Sequence, residues 1–288
     1  MKEKKPVLEI VTVILLAVVS LAGVLSINFS SAYEFTNQYQ QKVKLYGYGI
    51  YAHDSYFQAT ISVGTDLCIF FVFVPMFVKV LWDYMRKKTV LCELKLTAMY
   101  AVSLYYAASI GLGLSYNRLF LLYLLLFSCS LFGTFLHVKH MKFEQTAAVT
   151  KGLKIFLVLV GISLFAAWLP DVIPTAVKGT AHPMIGVYTT FVTYVFDMGI
   201  ISPLCFMSLY FLKKKDGLGT VMLAAILRLG IIIGIMVIFQ TVCQTLVGCD
   251  LPLAAVLTKS ASFAVLGGFA YYFERKMYKE FADEKEER

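Results

Sequence analysis

An all-α bundle of about eight membrane-spanning helices is the fold class this sequence predicts, and three observations predict it. Of 288 residues, 59% are hydrophobic and 15% charged, where a soluble domain averages about 25% charged. The apolar residues come in blocks of about 20, enough at 1.5 Å per residue to cross a hydrocarbon core of roughly 30 Å. The basic residues gather in short segments between those blocks. The net charge of +8 therefore reads as membrane topology, and nucleic acid is not expected as a partner. The lipid bilayer is.

The spans follow from the apolar blocks in order. After a basic start with Lys2, Lys4 and Lys5, span 1 runs from Val7 to Ile27. It is too long for a signal-peptide core and lacks a small-residue cleavage site. The loop from Asn28 to Gln58 is rich in tyrosine and phenylalanine. Disordered linkers are poor in aromatics, so an ordered cap is expected there, or in part an interfacial helix; the plainer reading of the same rings is an aromatic belt at the membrane surface. Span 2, from Ala59 to Trp82, carries Asp66 and Pro75. A turn with Arg86, Lys87 and Lys88 leads to span 3, from Leu94 to Leu114. There Ser103, Ala107 and Gly111 form a small-residue face for close helix packing.

Ser115–Arg118 is a short turn, and span 4 runs from Leu119 to Val138. Span 5 runs from Ile155 to about Trp168, because Pro170, Pro174 and Pro183 are expected to punctuate a loop. Span 6, from Thr189 to Leu212, carries Asp197 and Pro203. Lys213–Gly217 is a basic turn. Span 7 runs from Leu218 to Gln240 with Arg228, Gly230 and Gly234. Span 8 runs from Pro252 to Phe273 with Lys259 and a second small face at Ser260, Ala264 and Gly268. The charged tail from Glu274 to Arg288 reads as a frayed helix end. The small faces on spans 3, 7 and 8 could pack within one chain or between copies in a homo-oligomer.

Both ends of the chain and the turns after spans 2, 4 and 6 hold 18 lysines and arginines; the opposite side holds four, Lys42, Lys44, Arg118 and Lys178. Positive charge stays inside, so both termini are expected in the cytoplasm.

The halves 1–142 and 150–288 resemble each other. In each, a span goes out, a long loop follows, and the returning span carries an aspartate and then a proline. His53 precedes Asp66 as His182 precedes Asp197, and a basic cluster ends each returning span. This pattern suggests a parallel repeat of four plus four spans about an axis along the membrane normal.

Asp66 and Asp197 lie about eight residues inside the outer edge, roughly 12 Å deep. Arg228 falls near the midplane and Lys259 about seven residues in. Four such charges facing lipid would cost on the order of 10 kcal/mol, so they are expected to face one another or a wet cavity. Two readings remain open. In one, the charges are structural ion pairs orienting spans 2, 6, 7 and 8. In the other, Asp66 and Asp197 carry protons or cations in a polar site open to the outside. Arg228 would then serve as partner, with Lys259 and His182 as further candidates for binding a solute or ion.

The remaining candidates are weaker. His53 and His182 are loop histidines with pH-sensing or metal-binding potential. His137 and His140, three apart, are expected to be solvated or lipid-facing. There is no phosphate-binding lysine loop, no GxGxxG, no HExxH and no GxSxG. No metal or cofactor is expected, and a lipid- or quinone-directed enzyme has no nucleophile to stand on. The six cysteines show no metal spacing. Cys243 and Cys249 lie close enough in sequence to leave a disulfide open.

Four segments carry a resemblance: YNRLFLLYLLLFSCSLF at 116–132, GTDL at 64–67, HP…VY…VFDMGIISP within 182–203, and RLG at 228–230. Together they resemble a family of uncharacterised bacterial multi-pass membrane proteins. Its members share a YN-x-LFLLY span, an intramembrane aspartate before a proline, and a basic-glycine pair. That pair is often Lys-Gly; here Leu229 separates Arg228 from Gly230. The resemblance covers spans 2–4 and 6–7 and implies a bacterial plasma membrane location, with no activity attached. The leading functional reading is a transporter of a small solute or ion. The runner-up is a non-transporting sensor or assembly protein.

Overall fold

The computed structural model describes residues 6–141, 146–248 and 253–283; the side chains of residues 140, 253–257, 259 and 283 lie outside that description. Eight helices run up and down: α1 (Val7–Val24), α2 (Tyr56–Lys87), α3 (Val90–Gly113), α4 (Phe120–His140), α5 (Lys151–Lys178), α6 (Val192–Lys213), α7 (Gly217–Leu246) and α8 (Leu253–Asp283). Among the described residues, the first seven are long and apolar enough to cross a membrane. Polar side chains start them where the chain leaves the turns. Ser55, Thr89, Thr150 and Asp216 accept the N–H groups of Gln58, Cys92, Leu153 and Leu218, satisfying donors that a first helical turn leaves orphaned.

The helices form two sets of four. In the first, α1 packs on α2, α2 on α3, α3 on α4, and α4 closes back on α1. In the second, α5 packs on α6, α6 on α7, α7 on α8, and α8 touches α5. The sets meet where α7 lies against α2 and α3. Burial runs in the same order along each set. In the apolar stretches it is 28% for α1 and 22% for α5, 44% for both α2 and α6, and 61% and 67% for α3 and α7. So α3 and α7 are the central pair, while α1 and α5 present most of their surface outward.

Close contact between the sets needs glycine at Gly64. A Cβ there would meet the backbone Cα of Gln240 at 2.5 Å, and the Gln240 amide donates to the Thr65 hydroxyl at 2.9 Å. The small face of α3 packs within the chain, with Ser103 and Ser130 hydroxyls 2.7 Å apart. On α8 the close contact shifts by one residue. Gly267 meets Gly234 and the Ser260 and Thr241 hydroxyls lie 2.8 Å apart, while Ala264 and Gly268 face outward; within the chain, only Ser260 of the Ser260–Ala264–Gly268 stripe packs on α7.

Both returning helices widen into a π-helical turn, at Ile69–Phe73 in α2 and at Asp197–Ile201 in α6. The Val74 N–H donates to the Ile69 carbonyl and the Ser202 N–H to that of Asp197, each five residues back. Each turn ends two residues before a proline, Pro75 or Pro203. The cause is local: proline lacks an N–H and its ring crowds the carbonyl four residues back, and a wider turn relieves the conflict. Measured from the prolines, the carboxylates are three residues out of register. Asp66 precedes its π turn by three residues and Asp197 opens the other.

Three expectations need correction. Pro170 and Pro174 do not end the fifth span; both lie inside α5, which runs on to Lys178 and stops at Gly179 in the left-handed conformation. The carbonyls they leave free, those of Ala166 and Pro170, lie on the outer surface of the protein and not in its core. The aromatic loop is an ordered cap, but it holds no interfacial helix. Its core is an antiparallel hairpin of β1 (Tyr33–Thr36) and β2 (Lys42–Leu45), followed by a 3-10 turn at Gly49–Tyr51. Tyr46, Tyr51 and Tyr56 bury their rings on Ala59, Val63 and Cys243. Finally, α8 does not fray at Glu274 but continues to Asp283.

Candidate functional site

Among the described residues, Asp66, Asp197 and Arg228 do not converge. Among the described residues, no hydrogen bond or ion pair joins Asp66, Asp197 and Arg228 to one another, which corrects the expectation of a shared network. Each has its own setting.

Asp66, on α2 one turn before the π segment, is 1% exposed. Its Oδ1 accepts from the Tyr106 hydroxyl of α3 at 2.6 Å, and its Oδ2 accepts from the Tyr51 hydroxyl of the cap. Its other side lies against Gly23 of α1, where any Cβ would overlap the carboxylate. Burial, and after it the neighbouring Asp66, holds the Tyr51 hydroxyl well above the ordinary tyrosine range, so Tyr51 stays a donor. No cation faces Asp66 among the described residues.

Asp197, the first residue of the α6 π turn, is 5% exposed. Its partner is the indole N–H of Trp168 on α5, at 2.8 Å. Trp168 begins an aromatic ladder toward the cap end. It stacks on Tyr194 at 4.4 Å between centroids, Tyr194 stacks on Phe191 at 4.9 Å, and His182 meets Phe191 edge-on at 4.8 Å. His182 therefore ends a ladder that starts at Asp197 without touching the carboxylate. Its Nδ1 accepts from the Met184 N–H at 3.1 Å.

Arg228, three turns into α7 from its basic end, is buried against Glu274 of α8, with Nε 2.9 Å from Oε1. That N–H is not aligned for a hydrogen bond, so the contact is an ion pair held by charge. Tyr278 donates to the same carboxylate at 3.4 Å. Arg228 thus serves a structural pair and is not a partner of either aspartate. Lys259 lies on α8, but its side chain is outside the described residues. So is Cys249; Cys243 is buried as a free thiol.

His137 corrects another expectation. It is neither solvated nor lipid-facing but buried at the basic end of the first set, with Nε2 3.1 Å from Glu9 of α1 and Nδ1 3.7 Å from Glu93 of α3. Rings of Tyr84 and Tyr100 flank it. With a carboxylate facing each nitrogen, the imidazole ties α1, α3 and α4 together.

A cavity of about 60 Å³ opens at the cap end where the two sets meet, lined by Gln58, Ser109, Tyr188, Thr190, Phe191 and Thr193 among others. Its walls are uncharged hydroxyl, amide and ring groups, and neither aspartate lines it. Its volume holds a few waters or one small polar molecule.

Sequence reasoning missed Glu274, Glu9, Glu93, Tyr51, Trp168 and Asp54. Glu274 carried a signal, since a buried arginine demands an anion on a neighbouring helix. Compared with protein-family models, with curated proteins and with solved structures, the chain matches none.

Proposed function

We propose that the chain is a transporter of a small solute or ion, working by proton exchange at Asp66 and Asp197. One observation carries this reading: among the described residues, both intramembrane aspartates are held by neutral donors alone, Tyr51 and Tyr106 for one and Trp168 for the other. A carboxylate with a cation partner is compensated where it stands, as Glu274 is by Arg228. A carboxylate with only neutral partners can lose its charge only by taking a proton. Ionisable groups at such depth mark ion and proton pathways, and π turns beside them are frequent at functional sites.

The matching helix order, the matching burial and the two π turns support a repeat of four plus four helices. Two bundles meeting along α3 and α7 could rock against each other around the cavity at the cap end. With the basic turns inside, the cap lies outside a bacterial plasma membrane and both termini are cytoplasmic.

The test is flux. Proteoliposomes holding a pH-sensitive dye are given an inward proton gradient and, in turn, mixtures of sugars, amino acids and organic cations. At least one mixture is expected to drive acidification of the lumen, and Asp66→Asn or Asp197→Asn to abolish it. Acidification no faster than in protein-free vesicles for every mixture, or unchanged in both variants, would reject the reading.

A second reading is favoured by one observation: the cavity stops short of both carboxylates, and Asp66 is sealed by two tyrosines and a glycine. On that reading the chain is a membrane sensor or assembly protein, and no mixture moves protons.

A further inference from the structure

One buried carboxylate outside the membrane ties the cap to the rest of the protein. Asp54 follows the 3-10 turn of the cap and has no exposed surface. Its Oδ1 accepts from the Ser115 N–H, in the turn between α3 and α4, at 2.8 Å, and from the Tyr188 hydroxyl, in the segment before α6, at 3.0 Å. The Tyr188 hydroxyl accepts in turn from the Ser55 N–H at 3.1 Å. Nearby, the Asn37 amide donates to the Gly186 carbonyl at 2.7 Å. Connecting segments from both sets of four helices thus meet on one side chain, and Tyr188 also lines the cavity.

The second oxygen of Asp54 has no hydrogen-bond partner and is fully buried. As an acid, the group buries one neutral hydroxyl without an acceptor; as an anion, it buries a charge with an uncovered oxygen, which costs more. Burial pushes Asp54 up from 3.8 to about 6, against the opposing pull of Ser115, Tyr188 and the neighbouring His53. The titratable groups facing it are Tyr188, Tyr123 on α4, and His53 beside it in the chain. Burial and Asp54 itself hold the Tyr188 hydroxyl well above its ordinary range, so Tyr188 remains a donor while Asp54 titrates.

We propose that Asp54 is a proton-operated latch. Protonated, it holds the cap on the segment before α6; ionised, it releases that segment and opens the cavity beside Tyr188. The latch goes beyond the transport reading, because it concerns the junction of the cap with the α3–α4 turn and the segment before α6 and does not depend on what crosses the membrane.

The sign follows from linkage. Closed, Asp54 titrates at about 6; released into water, it titrates near 3.8. The closed state therefore binds the proton more tightly. Its population relative to the open state is greatest below about pH 4, falls about 100-fold as pH rises past 6, and is level beyond.

The experiment places spin labels at Lys42→Cys on the hairpin and Met184→Cys before α6, both exposed positions, in an otherwise cysteine-free chain. Distance distributions are compared at about pH 4 and about pH 7.5, on either side of the transition. A single short distance is expected in acid, and a second, longer population at the higher pH. Asp54→Asn, which cannot ionise, should keep the short distance at both. Tyr188→Phe, which removes the donor and keeps the ring, should show the longer one already in acid. Identical distributions at the two pH values with Asp54 in place would overturn the latch, and so would a pH response that persists in Asp54→Asn. A Tyr188→Phe variant indistinguishable from its parent would overturn it as well.

Discussion

Replacing Glu274 with leucine is expected to destabilise the folded protein by about 3–5 kcal/mol, the cost of leaving a buried charge without its partner. Arg228 and Glu274 are both buried, and their closest atoms lie 2.9 Å apart. Without Glu274, the guanidinium faces the apolar seam between α7 and α8 with no anion on it. The double replacement, Arg228→Leu with Glu274→Leu, should recover most of the loss, because an apolar pair removes both desolvation costs at once. Thermal unfolding in detergent, followed with a dye that fluoresces on reacting with thiols, reads this directly: Cys68 and Cys205 are fully buried and become reactive only on unfolding. Equal destabilisation of the single and double variants would mean the two residues are not coupled.

The second large effect is at Gly23. Gly23→Ala puts a methyl group into the space occupied by the Asp66 carboxylate. That carboxylate cannot retreat freely, because Tyr51 and Tyr106 hold it from two other sides. Either α1 moves out or a tyrosine hydrogen bond breaks. Overpacking costs about 1–3 kcal/mol, and a hydrogen bond to a charged group contributes about 1.5–3 kcal/mol. A loss of roughly 3 kcal/mol is therefore expected in the same unfolding assay. In an Asp66→Ala background the added methyl group meets empty space, so Gly23→Ala should there cost much less, a non-additivity expected only of residues in contact. Full additivity would contradict the placement of Asp66 against α1.

Much of this architecture was legible in the residues, and what was not has physical causes. Hydropathy located all eight helices, because each must bury its own backbone hydrogen bonds in an apolar stretch. It could not find their ends. Pro170 and Pro174 continue α5 where its surface faces outward and no neighbouring helix is disturbed by the lost hydrogen bonds, and Glu274 continues α8 because Arg228 and Tyr278 cover it.

Burial was legible too, since Asp66 and Asp197 are both enclosed. Direction was not. A helix that is apolar all round, as α7 is, offers no periodicity to say where a charge points. Arg228 could therefore be placed near the midplane but not turned toward α8. In the cap, Tyr33 and Phe35 alternate with polar residues, as do Val43 and Leu45. That two-residue period was a strand signal hidden by the abundance of aromatics. Asp54 lay unnoticed beside His53, because a loop aspartate becomes informative only once three segments close over it.

The most direct test of proton exchange at buried carboxylates is the solvent access of residue 197. Asp197→Cys is introduced into a cysteine-free chain, and intact cells are treated with a membrane-impermeant thiol reagent across a range of pH. In the structure this position is closed off behind Trp168 at the foot of the aromatic ladder, so labelling reports states in which water reaches it. Labelling from outside is the expected result. A folded protein that stays unlabelled at every pH would contradict the proton-exchange account and leave Asp197 as a sealed structural group.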